Sequence, residues 1–467
     1  MFIRQLYTSC LSEAAYYIES EGQAAVIDPL RDIESYLSLA TERNATIRYI
    51  FETHFHADFI SGHLDLAQAT GAPIVYGPNT ETNFPIHLAT DGEVFTIGEM
   101  VIEVLHTPGH TLESTCYLLK DKDGKQQAVF TGDTLFVDDV GRPDLSSGDM
   151  SKEDLASMLY DSLQAKILTL GDEVVVYPAH GAGSSCGKNL GVETFSTIGQ
   201  QKESNYALRF QTKADFIHSV TSDLPELPQY FPINAKINKE GYESLNDVLM
   251  KGLKALPIGE FKTYLTQDVI TLDTRAAAEF TKGFIPGSIS IGLDGRFAEW
   301  AGGLLPFDQQ LVLVTDPGME KETLVRLARV GFDKVVGYLE GGFETWVQAA
   351  EHTDMIIDIE PEELLLDIPF DDKLVVLDVR RETEYADGHL KDAVNIPLND
   401  LTDPGTMANL DDHHNIYVHC GGGYRSVIAL SLLKRQGFHN LRNVLGGWDK
   451  IKKMENIEVV KDVSLLN

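Results

Sequence analysis

Thr53-His54-Phe55-His56-Ala57-Asp58-Phe59 follows directly on the apolar run 46–51, and its reading decides the fold. Three later segments offer more side chains of the metal-ligand type: Thr107-Pro108-Gly109-His110-Thr111, Thr131-Gly132-Asp133-Thr134 and Tyr177-Pro178-Ala179-His180-Gly181. All four come straight after short apolar runs that end at Gly, Pro, Asp or His, the mark of a strand. The strands predicted in this part of the chain cover 23–27, 46–51, 73–76, 101–105, 128–130 and 173–177. A single sheet would bring the residues that follow its strands to one edge. A helix is predicted over 152–170, opened by Ser151 with acidic residues in its first turn. The pattern is a layered α/β one.

A histidine taken singly is more often a hydrogen-bonded or surface residue than a ligand. The ordered set is another matter. His-x-His-x-Asp followed by Gly-His, Gly-Asp and Ala-His-Gly resembles the metallo-β-lactamase superfamily over roughly the first 200 residues. That resemblance implies an αββα sandwich. The superfamily pattern ends its first motif with Asp-His, whereas Phe59 stands in the place of that histidine. Phe cannot coordinate, so the second position of the two-metal hydrolases loses a ligand, which points to a mononuclear centre.

Among family members the sequence is similar to the persulfide dioxygenases, which hold one Fe(II) on two histidines and an aspartate. The resemblance assigns these to His54, His110 and Asp133, a set that leaves a face of the metal open. A redox-inert zinc would not serve oxidation by O₂. On the same reading His56, Asp58 and His180 orient ligands from behind. Hydrolytic relatives use His56 directly. Arg142, in Gly141-Arg142-Pro143-Asp144, either pairs with a carboxylate to hold its loop or contacts an anionic substrate. Cys186 follows His180 by six residues and is either a packed thiol or a persulfide relay.

Residues 215–260 contain prolines at 225, 228, 232 and 257, which interrupt every period, and the domain junction is placed here. Beyond it lies an internal repeat. VITLDTRAAAEFTKGFIPGSISI from Val269 aligns with VVLDVRRETEYADGHLKDAVNI from Val375, and YLEGGFETW from Tyr338 aligns with NVLGGWDKI from Asn443, at an offset close to 105 residues. Each copy predicts a small doubly wound α/β domain. The expected domains are 1–240, 241–355 and 356–467.

His419-Cys420-Gly421-Gly422-Gly423-Tyr424-Arg425-Ser426 follows the apolar run 415–418 and precedes a periodic helix at 427–433. Glycines let several N–H groups converge at a helix N-terminus, where a thiolate or bound sulfur anion is stabilised. Those dipoles and the nearby Arg425 are expected to activate Cys420 as a nucleophile. The loop resembles that of the rhodanese family, with Asp378, Arg380, Gly388 and His389 as its other landmarks. Low-molecular-weight tyrosine phosphatases carry a similar loop, so phosphate chemistry competes, although the landmarks disfavour it. The first repeat keeps Asp273, Arg275, Gly341 and Gly342 but has Asp316 where the cysteine loop would be, so it is expected to be non-catalytic.

The whole chain is thus similar to the bacterial multidomain persulfide dioxygenase-sulfurtransferases. The resemblance implies oxidation of a low-molecular-weight thiol persulfide by O₂ to sulfite at one Fe(II) per chain, sulfur transfer through Cys420 giving thiosulfate, and a homo-oligomer. Two rivals stay open: a two-zinc thioester hydrolase related to glyoxalase II, and a sulfur carrier or sensor.

Composition agrees with this class. A chain of 467 residues suggests roughly three domains. The formal charge of −33 would repel nucleic acid and anionic membrane surfaces. No apolar run reaches the ~20 residues of a membrane span. Cys10, Cys116, Cys186 and Cys420 form no CxxC pair, and the N-terminus lacks a signal-peptide core, so a reduced cytoplasmic setting is expected.

Overall fold

A computed structural model describes residues 1–145, 150–210, 212–224, 227–403, 405–406, 410–411, 413–455 and 457–462. These divide into two compact units, Met1–Val248 with Val325–Phe332, and Leu249–Leu324 with Asp333–Asn467.

The first unit contains two six-stranded sheets. One runs Phe2–Thr8, Glu13–Ser20, Gln23–Ile27, Thr46–Phe51, Ile74–Tyr76 and His87–Leu88 in spatial order. The other runs Val94–Ile97, Met100–His106, Thr115–Lys120, Gln126–Gly132, Val175–Pro178 and Ser196–Thr197. Strand side chains alternate between faces, and Glu13–Ser20 shows the result. Ala14, Tyr16 and Ile18 enter the core that also holds Phe95, Ile102, Tyr117 and Phe130 of the second sheet. Ala15 and Tyr17 face the other way, toward Tyr36 and Leu66 of helices Glu34–Glu42 and His63–Thr70. Helices Lys152–Ser162 and Lys213–Thr221 cover the second sheet through Ala156, Leu159, Phe216 and Val220. This is the αββα sandwich.

Two expectations need correction. The helix predicted over 152–170 begins where expected, with Ser151 Oγ accepting the Asp154 N–H at 3.1 Å, but its α-helical part ends at Ser162. It continues as a wider turn, Leu163–Ile167, that keeps Leu163, Ile167 and Leu170 in the core. The proline-rich junction is helical: Lys213–Thr221, Phe231–Glu240 and Leu245–Gly252. Pro232 lies in the first turn of its helix, where a missing N–H costs nothing, so it starts a helix instead of breaking one. Pro225 and Glu226 lie outside the described residues.

The second unit contains two five-stranded parallel sheets of the same topology. One is ordered Ala255–Leu256, Val335–Leu339, Gln310–Val314, Val269–Asp273, Ile289–Ser290. The other is ordered Ile357–Ile359, Leu441–Val444, Asn415–His419, Leu374–Asp378, Val394–Asn395. Helix Tyr424–Arg435 is longer than the predicted 427–433, and Ser426 to Leu433 are all buried. The extra turn has a partner in the first repeat: Tyr424 Oη donates to the Gly292 carbonyl at 2.7 Å. Further along, Ser431 Oγ accepts the Ser290 N–H at 3.0 Å.

Candidate metal centre and cysteine loop

His54, His110 and Asp133 stand at the ends of three strands, and their donor atoms converge. His54 Nε2 and His110 Nε2 lie 3.7 and 3.5 Å from the same oxygen, Asp133 Oδ2. That oxygen is buried and has no hydrogen-bond partner among the described residues. A tetrahedral centre with bonds of about 2.1 Å separates its ligands by about 3.4 Å, so this spacing fits a metal ion better than hydrogen bonding.

The other ring nitrogens fix which lone pairs face inward. His110 Nδ1 is 2.8 Å from the Arg142 carbonyl, which can only accept, so Nδ1 carries the proton and Nε2 the lone pair. Thr53 Oγ1 donates to Asp28 Oδ2 at 2.9 Å and is left to accept from His54 Nδ1, also at 2.9 Å. Asp28 Oδ1 further accepts the Thr53 N–H at 2.8 Å. Burial, with His56 adding, keeps His54 well below its ordinary pKa and therefore neutral, the form a ligand requires. Gly132 is necessary here, because at φ +51° a Cβ would lie 2.5 Å from Thr53 Oγ1.

His180 bridges two carboxylates, with Nδ1 2.8 Å from Asp133 Oδ1 and Nε2 2.8 Å from Asp58 Oδ2. Burial opposes its charge, but Asp133 and Asp58 outweigh it and raise its pKa well above the ordinary value. Burial acts against the Asp133 charge too, and is overcome by His180 and His54, so the carboxylate stays ionised. Cys186 is buried, and its sulfur lies within 4.8 Å of donor atoms of Asp58 and His180. Burial, then Asp58 and Asp133, push its thiol well above the ordinary pKa. Arg142 is fully buried and forks onto Asp144 at 3.0 and 2.7 Å. Its guanidinium also donates to the Ser185 carbonyl at 3.3 Å.

His56 does not join His54. It turns to Asp28 and Glu52, and Phe59 stacks on it with ring centroids 4.3 Å apart. The loop is held from the junction helix, where Asn238 Nδ2 donates to the His56 and Phe59 carbonyls at 2.8 Å each and Asn238 Oδ1 accepts the Ser61 N–H.

In the second unit Cys420 is buried, and its sulfur accepts the Gly423 N–H at 3.1 Å. Ser426 Oγ lies 3.8 Å from the sulfur and 2.8 Å from Asn443 Oδ1. The Trp448 backbone N–H donates to the Cys420 carbonyl at 2.7 Å. Arg425 is oriented by a carboxylate and makes no direct hydrogen bond to the sulfur among the described residues. Its guanidinium forks onto Glu384 at 2.6 and 2.8 Å, and the hydrogen bond that reaches sulfur comes from the backbone. A cavity of about 470 Å³ opens over Gly421 and Gly422, bounded by Arg380, Glu384, Arg425 and Trp448. Arg380 itself is tied to Asp378, at 2.6 Å.

The profile of the metallo-beta-lactamase superfamily matches residues 9–180, and that of the rhodanese-like domain matches 258–349 and 360–454. A solved metallo-beta-lactamase from Staphylococcus aureus subsp. aureus COL is 34% identical, covers 73% of this chain and 98% of its own, and superposes with a TM-score of 0.64. The chain belongs to the metallo-beta-lactamase superfamily. Two rhodanese-like domains follow the superfamily domain. A probable hydroxyacylglutathione hydrolase of Schizosaccharomyces pombe is 34% identical over 33% of this chain. Glyoxylase B2 of Dictyostelium discoideum is 31% identical over 44% of it. The chain spans 58% and 72% of those two relatives' own lengths.

The sequence singled out His54, His110 and Asp133, which converge, and His180 behind them, but not Asp28, Glu52, His63 or Asn238. Asp28 ends strand Gln23–Ile27 just as His54 follows Thr46–Phe51, so the strand-end rule that found the histidines would have found it too. Glu52, directly after Thr46–Phe51, carries the same mark, whereas His63 and Asn238 lie on helices and carry none. Among the described residues no helix is long and apolar enough to cross a membrane.

Proposed function

We propose that the chain oxidises a low-molecular-weight thiol persulfide with O₂ to sulfite and transfers sulfane sulfur through Cys420 to give thiosulfate. The observation that carries this reading is the pair of imidazole lone pairs facing one unpartnered oxygen, Asp133 Oδ2, while His56 is turned away against Phe59. His54, His110 and Asp133 would hold one Fe(II), which when bound supplies redox capacity and open coordination positions. Thr53 and the Arg142 carbonyl keep both imidazoles in the ligating tautomer. His180 holds Asp133 from its other oxygen, and Arg142 fastens the loop to Asp144. Cys186, protonated and buried, forms part of the wall, and substitution by serine should leave thiosulfate production intact.

The oxidation balances as persulfide, O₂ and water giving thiol, sulfite and protons. For transfer, the Cys420 thiolate attacks the outer sulfur of RS–SH, the S–S bond breaks and RS⁻ leaves. Sulfite then attacks the outer sulfur of the Cys420 persulfide, and thiosulfate departs as the thiolate is restored. The Gly423 N–H stabilises sulfur anion throughout.

A second reading, thioester hydrolysis at two zinc ions, is favoured by the hydrolase names of the relatives. It is opposed by Phe59 and by His180, both of whose nitrogens are engaged by carboxylates. Oxygen uptake on glutathione persulfide by the iron-loaded full chain decides between them. Uptake that disappears in His110→Ala supports oxidation, whereas absence of uptake with turnover of a glutathione thioester overturns it.

A further inference from the structure

We propose that Asp28, Glu52 and His56 form a second, fully buried site for a divalent transition ion, separate from the set at His54, His110 and Asp133. The proposal is independent of which metal the first set holds.

His56 Nε2 lies 3.1 Å from Asp28 Oδ1 and 3.5 Å from Glu52 Oε2. Despite those short distances neither ring nitrogen of His56 nor Glu52 Oε2 makes a hydrogen bond among the described residues. The atoms are close but not aimed at one another. Ligands arranged around an ion have this geometry, since their lone pairs meet at a common centre about 3.4 Å from edge to edge in a tetrahedral set. The first set shows the same signature at 3.5 and 3.7 Å. One donor atom from each of the three residues lies within 4.8 Å of the others.

Asp28, Glu52, His56 and His63 are at most 1% exposed, and a cation would stabilise two ionised carboxylates in such a place. A divalent ion with two carboxylates and a neutral imidazole sums to zero charge. Orphaned buried polar atoms are rare and point to a missing water or ion. Here they are concentrated: His63 Nδ1 is 3.4 Å from Glu52 Oε1, again without a hydrogen bond, while Ser61 Oγ donates to that oxygen. His63 and Ser61 would then orient Glu52.

Two features tie the site to its surroundings. Phe59, which removes a possible ligand from the first set, packs against His56 and holds it in the second. Asp28 also reaches His54 through Thr53, so an ion here would stiffen the support of the first set without touching substrate. Two carboxylates with imidazole suit zinc, or iron or manganese.

Metal analysis of the full chain, wild type beside His110→Ala and Glu52→Gln, tests the site. The expected result is two ions per wild-type chain, with His110→Ala losing one and keeping the other, and Glu52→Gln losing the one that His110→Ala keeps. One ion per wild-type chain overturns the proposal, as does a folded Glu52→Gln that retains both. Loss of both ions in His110→Ala with both kept in Glu52→Gln would mean a paired centre at the first set. Should Glu52→Gln fail to fold, anomalous scattering from wild-type crystals decides: a peak between Asp28, Glu52 and His56 is expected, and its absence sinks the site.

Discussion

The two rhodanese-like repeats share a scaffold and differ in what fills one backbone cradle. In each, an arginine two residues after a strand-end aspartate turns back onto it: Arg275 on Asp273 and Arg380 on Asp378, both at 2.6 Å. Each arginine also reaches a glycine carbonyl, Gly283 or Gly388, and lies over an aromatic ring, Phe343 or Trp448. Gly318 and Gly423 occupy equivalent places 105 residues apart, and both have positive φ. The Gly423 N–H is given to Cys420 sulfur at 3.1 Å. The Gly318 N–H is given instead to Glu320 Oε2 at 3.0 Å. The first repeat has thus lost more than a nucleophile: a carboxylate of its own takes the anion position, and its helix begins with Glu320 and Glu322 where the second has no acid. A helix N-terminus attracts anions, so an internal one excludes an external one.

The sharpest break of this comparison is Cys420→Ser, which should reduce sulfane transfer from thiosulfate to background while oxygen uptake on persulfide persists. Retained transfer would mean that the first repeat works after all. Next come the matched glycines. Gly447 (φ +51°) and Gly342 (φ +66°) would place a Cβ 2.3 Å from the Cys420 carbonyl and 2.7 Å from the Thr315 carbonyl. Alanine at either should cost about 1–3 kcal/mol in urea unfolding. Only Gly447→Ala should also abolish transfer, and equal loss in both would show that the repeats are functionally coupled.

A smaller effect is expected at the fork between Arg425 and Glu384. Arg425→Lys keeps the charge but loses the bidentate geometry, and should slow transfer about tenfold, equivalent to ~1.4 kcal/mol. No change in steady-state rate would remove Glu384 from the loop's support. The smallest effect should come from Asp316→Cys combined with Glu320→Ala. Freeing the Gly318 N–H should make the new thiol react with iodoacetamide faster than in Asp316→Cys alone. Equal rates would mean that Glu320 does not govern the cradle.

Much of this was legible in the chain. Strand Gln23–Ile27 and strand Thr46–Phe51 matched their predicted limits because each is an apolar run with a clear stop. Glu13–Ser20 left no such trace: EAAYYIES is buried on both faces, so it lacks the alternation that marks a half-exposed strand. Phe231–Glu240 was hidden because proline was read as a breaker, although its place in the first turn makes it a starter.

The sequence by itself determined the inventory and its order: ligand-type residues after successive strands, Phe59 in place of a histidine, a repeat with cysteine in one copy only. Tertiary structure alone decided the pairings. His56 shares a motif with His54 yet faces Asp28 and Glu52, His180 joins Asp58 across 122 residues of chain, and Arg425 forks onto Glu384. The physical reason is that periodicity tells which face a residue occupies, whereas a ligand or hydrogen bond depends on side-chain direction to within a few tenths of an ångström. That is set by packing from distant segments such as the Asn238 helix.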